Sequence, residues 1–155
     1  MKLSQTSEMA IHGLWELALC AEEDRRLLVS EIARRHNVSE SYLAKIFHRL
    51  GQAGIVLSRR GKVGGFRLAR PADAITVGEI VRLFEVDLCN TATKLPKKVG
   101  NNPREQTLYT VMQDVEERVF EVLDGITLAD LRTQTPDSDS PKLCRRKYTR
   151  RVGKA

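Results

Sequence analysis

The 155-residue chain contains few cysteines, no long apolar run and no recognisable catalytic set. Its three widely spaced cysteines cannot form a disulfide framework, and an odd count in a reducing compartment indicates free thiols or ligands. No apolar run is long enough to cross a membrane and the N-terminus lacks a signal-peptide core, so we expect a cytoplasmic protein. No Ser/His/Asp set, paired-carboxylate signature or phosphate-binding glycine loop appears, so we expect no enzyme.

Positive charge is in excess along the chain. There are 26 Lys and Arg residues against 20 Asp and Glu, which gives a formal net charge of +6. A surplus of this sign favours a polyanionic partner. The length is that of one domain, or of one domain with an extension, and it is sufficient for a substantial core.

Residues 28–71 carry the pattern of two short helices followed by a hairpin. Ser30 is placed to cap the first helix, and 37–39 (Asn-Val-Ser) forms a tight turn. Ser39 caps a second helix predicted over 40–53. The apolar residues of this helix recur at helical spacing and are expected to face inward: Leu43, Ile46, Phe47 and Leu50. Such an order is typical of a helix-turn-helix.

A basic, glycine-rich hairpin follows the second helix. The sequence predicts a strand over 55–58, a turn over 59–65 and a return strand over 66–68. A helix-turn-helix with a basic wing is one way to bind duplex DNA, although a similar fold can also occur without any ligand. The residues expected to contact DNA are Ser39, Ser41, Tyr42 and Lys45 on the recognition helix, and Arg59, Arg60 and Lys62 on the wing.

The remaining segments complete a mainly α fold with a small β-hairpin wing. Residues 1–86 are the predicted winged helix-turn-helix domain, with a first helix over 4–21 and a later helix capped by Thr76, whose capping box is completed by Glu79. A polar loop is predicted over 87–103. Residues 104–132 are predicted to form a long helix and a final short one. The basic tail, 133–155, is expected to be mobile.

The long helix carries one apolar stripe with a spacing of three and four residues. Its members are Leu108, Val111, Met112, Val115, Val119 and Val122. A stripe this long needs a cover, and a second copy of the same helix is the simplest one. We therefore predict a homodimer.

Several motifs, in order and at matching spacing, resemble the IscR/NsrR-type transcription regulators of the Rrf2 family. They are MKLS at the N-terminus, VSESYLAKIF over 38–47, RGKVGGF over 60–66 and ITVGEI over 75–80. The resemblance implies a homodimeric regulator that crosses its long helices and binds a palindromic operator. Arg60 matches the family's wing arginine, which enters the minor groove. Ala44 departs from relatives that carry Glu there, so their operator cannot be transferred to this chain.

The resemblance also implies an iron–sulfur cluster, but the cysteine pattern departs from the family's. The cluster loop of relatives has three cysteines, whereas Cys89 stands alone here, and one thiolate cannot hold a cubane cluster. In some relatives Glu and His at the positions of Glu8 and His12 ligate the cluster from the opposite subunit. The chain therefore has either a mixed Glu8, His12 and Cys89 set across the dimer, or an ordinary exposed pair and a half-buried thiol.

These observations predict a sequence-specific transcription regulator that acts as a repressor. Two other interpretations remain open. One is a DNA-binding regulator with a thiol or metal signal, which would be colourless where a cluster protein is brown. The other is a winged-helix protein-interaction module, which would show no salt-dependent binding to duplex DNA.

Overall fold

The computed structural model describes residues 2–21, 25–61, 64–85 and 102–134. The elements in chain order are α1 (Gln5–Leu19), α2 (Val29–Arg35), α3 (Glu40–Gln52), β1 (Val56–Arg59), β2 (Gly65–Leu68), a single 3-10 turn (Ala72–Ala74), α4 (Val77–Phe84), α5 (Pro103–Asp124) and α6 (Leu128–Thr133). The strands β1 and β2 pair antiparallel, with Val56 opposite Leu68. The predicted fold class, mainly helical with a hairpin wing, is confirmed.

The core lies where α1 crosses the helix-turn-helix. The side chains of Leu14, Leu43 and Phe47 are completely buried there. The wing is attached to this core through Phe66, whose ring meets that of Phe47 edge-on at 4.9 Å. Leu27 extends the hairpin by a short bridge to Phe66, with backbone hydrogen bonds of 3.0 and 2.8 Å. The helix α3 and the hairpin therefore pack on the same apolar core.

Two predicted caps differ from the structure. Helix α2 begins at Val29 with Leu28 as its N-cap, so the assignment of Ser30 is wrong. The carboxylate of Glu31 accepts a hydrogen bond from the Leu28 N–H at 3.0 Å, which satisfies a helix start two residues earlier than predicted. Thr76 does cap α4, but its capping box is wrong, because the Glu79 carboxylate accepts from Arg70 at 2.6 Å instead.

Cys20 lies at the end of α1 and is completely buried, as a small core residue would be. It is also disulfide-bonded, so the expectation of free thiols or ligands is wrong for this cysteine.

The short C-terminal helix packs back onto the first helices. Leu128 of α6 is completely buried in the same core cluster as Leu14 of α1. Its N–H donates to the Ile75 carbonyl at 3.0 Å, and the Val77 N–H donates to the Ile126 carbonyl at 2.8 Å. Helix α6 therefore completes the core that supports the helix-turn-helix.

Some predictions fall where the chain is not described. Most of the loop predicted over 87–103, nearly all of the tail predicted over 133–155, and the residues Lys62 and Cys89 lie outside the described residues.

Candidate nucleic-acid interface

The turn before α3 has the geometry that the sequence predicts. Asn37 adopts a left-handed backbone with φ of 52°, which asparagine tolerates better than most residues. Ser39 is the N-cap of α3, and its side chain accepts a hydrogen bond from the Tyr42 N–H at 3.3 Å. The turn and cap together fix the direction in which the first turn of α3 projects.

Three of the four predicted recognition-helix residues lie on the surface. Ser39, Ser41 and Lys45 are exposed. Tyr42 differs, because it is half-buried and its hydroxyl lies 3.2 Å from Oγ1 of Thr6 on α1. This hydroxyl thus links α1 to α3.

The wing presents an exposed arginine pair. Arg59 ends β1 and Arg60 opens the turn, and both side chains are exposed. Gly61 has φ of 107°, which favours glycine, and the Gly64 N–H donates to its carbonyl at 2.8 Å. A Cβ on Gly64 would lie 2.6 Å from the Arg59 carbonyl oxygen. The glycines therefore permit a tight turn that leaves the arginines outside.

The predicted ligands Glu8 and His12 are both exposed on α1. The His12 ring is stacked on Trp15, with centroids 6.2 Å apart, and lies 5.2 Å from the ring of His36. Partial burial of the ring, and then the nearby His36, lower the pKa of His12 below its ordinary value, against the opposing effect of Glu8 and Glu16. The neutral imidazole favoured in this way is the form that binds a metal.

The residues brought together do not complete a metal site. Over the described ranges, no group of three or more His, Cys, Asp or Glu side chains could hold a metal ion. Glu8 and His12 offer two donors, and the third predicted donor, Cys89, lies outside those ranges. The described donor set alone therefore does not fit a cluster.

A buried carboxylate that the sequence did not predict as a site residue lies on the same helix as Glu8 and His12. Glu16 on α1 is only 8% exposed and accepts hydrogen bonds from Arg35 and from Nε2 of His36, the latter at 2.7 Å. Both partners lie at the end of α2, directly before the turn. A glutamate within the apolar face of α1 was the available signal, because such a carboxylate needs a cationic partner.

The apolar stripe of α5 is uncovered in the single chain. Its side chains are between 41% and 66% exposed at Leu108, Val111, Met112, Val115 and Val122, and Val119 is half-buried. Phe120, one position off the stripe, packs instead against Val77 and Val81 of α4. The helix thus uses one face within the chain and leaves another free.

Known proteins share this arrangement along most of the chain. The family model described as "Iron-dependent Transcriptional regulator" matches residues 3–134. The chain belongs to the Rrf2 family. A curated Rrf2 relative, the HTH-type transcriptional regulator IscR of Erwinia tasmaniensis, is 36% identical over 132 residues, covering 84% of this chain and 78% of its own length.

Solved Rrf2 structures agree with the fold. The IscR structure from T. potens is 29% identical, covers 90% of this chain and 91% of its own, and has a TM-score of 0.71. CymR, named the global cysteine regulator of B. subtilis, is 31% identical, covers 88% of this chain and 99% of its own, and has a TM-score of 0.70. The chain is accordingly a DNA-binding transcription regulator with a winged helix-turn-helix. No helix in the described part of the chain has the length and hydropathy needed to cross a membrane.

Proposed function

We propose that this regulator reads a palindromic operator through the first turn of α3 and the wing. The observation that carries this proposal is the exposed set Ser39, Ser41 and Lys45, followed along the chain by the exposed pair Arg59 and Arg60. Hydroxyls and lysine in the major groove contact phosphates and base edges. Arginine favours the negative potential of a narrow minor groove, which suits Arg60.

The supporting roles follow from the same surface. Lys62, next to the arginine pair in sequence, adds a third wing cation for phosphate. Tyr42 positions α3 through its hydroxyl contact with Thr6. We propose that Tyr42 contacts DNA through the edge of its ring or through the hydrogen-bonding capacity of the hydroxyl that Thr6 leaves unused.

We also propose that α5 is the dimerisation helix of a homodimer. The exposed stripe of α5 supports this proposal, because a monomer rarely leaves a long row of apolar side chains in water. Two recognition helices related by a twofold axis match the symmetry of a palindrome. A dimer seated on a promoter excludes other proteins from the same DNA, so we propose repression as its regulatory effect.

We propose the segment roles on the same basis. Residues 1–86, together with α6, form the DNA-binding half, and 87–103 form a sensor loop. Within 104–132, α5 carries dimerisation, and 133–155 are a basic extension. A cytoplasmic location remains a prediction.

The signal is proposed to involve iron held between the subunits. The family description names iron, and Glu8 and His12 are exposed one helical turn apart on α1. Cys89 of the partner subunit, in its reduced thiolate form, completes with them a mixed set suited to a two-iron cluster or to a single divalent metal. Iron and sulfide analysis after purification without air separates the cluster from a thiol or metal signal.

Arg60→Ala tests the DNA interface. A duplex recovered by the wild-type protein from a random-sequence library serves as the probe. The variant should bind it weaker by about 1–3 kcal/mol, because a groove contact is lost. Arg104→Ala, which removes an exposed arginine at the start of α5, should bind almost as the wild type does. Equal losses would show that only bulk charge is involved and would contradict the interface.

A further inference from the structure

Helix α4 connects the recognition helix to α5. On one side, the guanidinium of Arg49 in α3 lies over the ring of Phe84 in α4, 5.2 Å from its centroid. On the other side, the guanidinium of Arg82 in α4 lies over the ring of Phe120 in α5, 4.2 Å from its centroid. Two cation–π contacts thus attach α4 to the proposed DNA-reading helix at Phe84 and to the proposed dimerisation helix at Arg82.

Arg82 also binds the end of α5 with a fixed orientation. Its Nη1 and Nη2 donate to Oδ1 and Oδ2 of Asp124 at 2.6 and 2.7 Å. A fork-to-fork pair of this kind constrains the relative angle of its two groups as well as their distance. The hydrogen bond from Arg82 is also the main reason that the pKa of Asp124 lies below its ordinary value.

A glycine brings the two helices close enough for this contact. A Cβ built on Gly78 of α4 would overlap Oδ1 of Asp124 and lie 3.1 Å from its backbone nitrogen. Phe120 is the only buried residue of the 22-residue helix α5. Next to the backbone hydrogen bonds at Ile126 and Leu128, the closest side-chain contacts that attach α5 to the described DNA-binding half are made by Gly78, Arg82, Phe120 and Asp124.

The length of α5 amplifies any change at this attachment. A 22-residue helix is about 33 Å long at about 1.5 Å per residue. A change of about 10° at one end displaces the other by about 6 Å, which is more than one base-pair step of about 3.4 Å. Small changes at the attachment thus alter the separation of two recognition helices in a dimer.

We propose that Arg82, acting through Phe120 and Asp124, is a positioning residue that sets the half-site spacing accepted by the dimer. This inference rests on the proposed homodimer and its paired recognition helices. Arg82 does not read bases, because it lies at the helix that joins the DNA-binding half to α5. Its loss therefore changes the preferred spacing and leaves the preferred half-site sequence intact.

Selection from a random-sequence duplex library by the full-length protein tests this proposal. The wild-type protein should recover inverted half-sites at one dominant spacing. Arg82→Ala should recover the same half-sites over several neighbouring spacings. On synthetic duplexes that differ only by one inserted base pair, the ratio of Kd values between shifted and dominant spacing should fall roughly tenfold.

Two further variants keep the test decisive. Asp124→Asn retains the size of the side chain while weakening the ion pair, so it should broaden the spacing in the same direction if Arg82→Ala fails to fold. Arg70→Ala is the matched control, because Arg70 pairs at 2.6 Å with Glu79, which lies on α4 as Arg82 does. The exposure of the two pairs is similar: 39% and 37% for Arg70 and Glu79, and 44% and 43% for Arg82 and Asp124. Neither Arg70 nor Glu79 belongs to α5, so the half-site spacing selected by the Arg70→Ala variant should be that of the wild type.

The outcomes separate this proposal from the one on which it rests. Unchanged spacing in folded Arg82→Ala or Asp124→Asn protein, or equal broadening in Arg70→Ala, would overturn the positioning role alone. Recovery of single, unpaired half-sites by the wild-type protein would overturn the dimeric reading, and the positioning role with it.

Discussion

At the scale of single residues, Gly13 and Gly51 occupy helices with opposite surroundings. A Cβ on Gly13 of α1 would lie 2.8 Å from Cε2 of Phe47, whose ring is completely buried. A Cβ on Gly51 of α3 would meet nothing closer than Val56 at 4.0 Å. The first glycine permits α1 to approach the recognition helix, whereas the second has no packing reason to lack a side chain.

The same substitution should therefore have opposite effects at these two positions. Gly13→Ala should lower the free energy of unfolding by about 1–3 kcal/mol, because the core has no room for the methyl group. Gly51→Ala should raise it by about 0.5–1 kcal/mol, since alanine restricts the unfolded chain and favours helix. Urea unfolding monitored by circular dichroism measures both. A Gly13→Ala protein as stable as the wild type would show that α1 does not pack this closely on α3.

At the scale of elements, α4 and α5 are held together by a contact that depends on pH. The Asp124 carboxylate is ionised when it accepts from Arg82, and this hydrogen bond lowers its pKa from the ordinary value. A carboxylate with a lowered pKa in the folded state contributes stability above its unfolded pKa of about 3.9 and loses it as the pH falls through the folded value.

Acid should consequently lower the free energy of unfolding of the wild-type protein more than that of its Asp124→Asn variant. Between pH 7 and pH 5 the free energies of unfolding of both proteins should run in parallel, and below about pH 5 the wild-type value should fall more steeply. Arg82→Ala is the control, since it removes the cause of the shift and should follow Asp124→Asn. Parallel curves for wild type and Asp124→Asn down to pH 2 would contradict the ion pair in solution.

At the scale of the whole molecule, the exposed stripe of α5 requires a cover. Val115 lies in the middle of that stripe and is half exposed in the single chain. Within the proposed homodimer it is enclosed by apolar side chains of both copies. Dimerisation then brings together the two DNA-binding halves, each of which alone reads only one half-site.

Val115→Asp should dissociate the dimer. An unpaired carboxylate in the interface costs several kcal/mol, so the variant should sediment as a monomer and lose most of its affinity for the paired operator. Thr110→Asp adds the same charge to an exposed position off the stripe and should remain dimeric. A soluble Val115→Asp dimer with normal affinity would refute the interface.

Much of the fold could be predicted from local chemistry. Ser39 and Thr76 are the caps that the sequence predicts, because a hydroxyl before an amphipathic run satisfies free backbone N–H groups wherever the helix lies. The predicted turn over 37–39 forms for an equally local reason, since Asn37 tolerates the left-handed backbone found there. The exposed positions of Ser41 and Lys45 follow from helical periodicity alone.

Tertiary structure decided which side chains from distant segments pair with each other, and helical periodicity cannot predict such pairs. The pairing of Arg82 with Asp124 spans 42 positions and depends on how α5 returns to α4. The Glu79 side chain had two available partners, its own helix start and Arg70, and the tertiary contact prevailed. Local sequence determines which groups need partners, whereas packing determines which partners are within reach, because contacts between distant segments arise only when the core assembles.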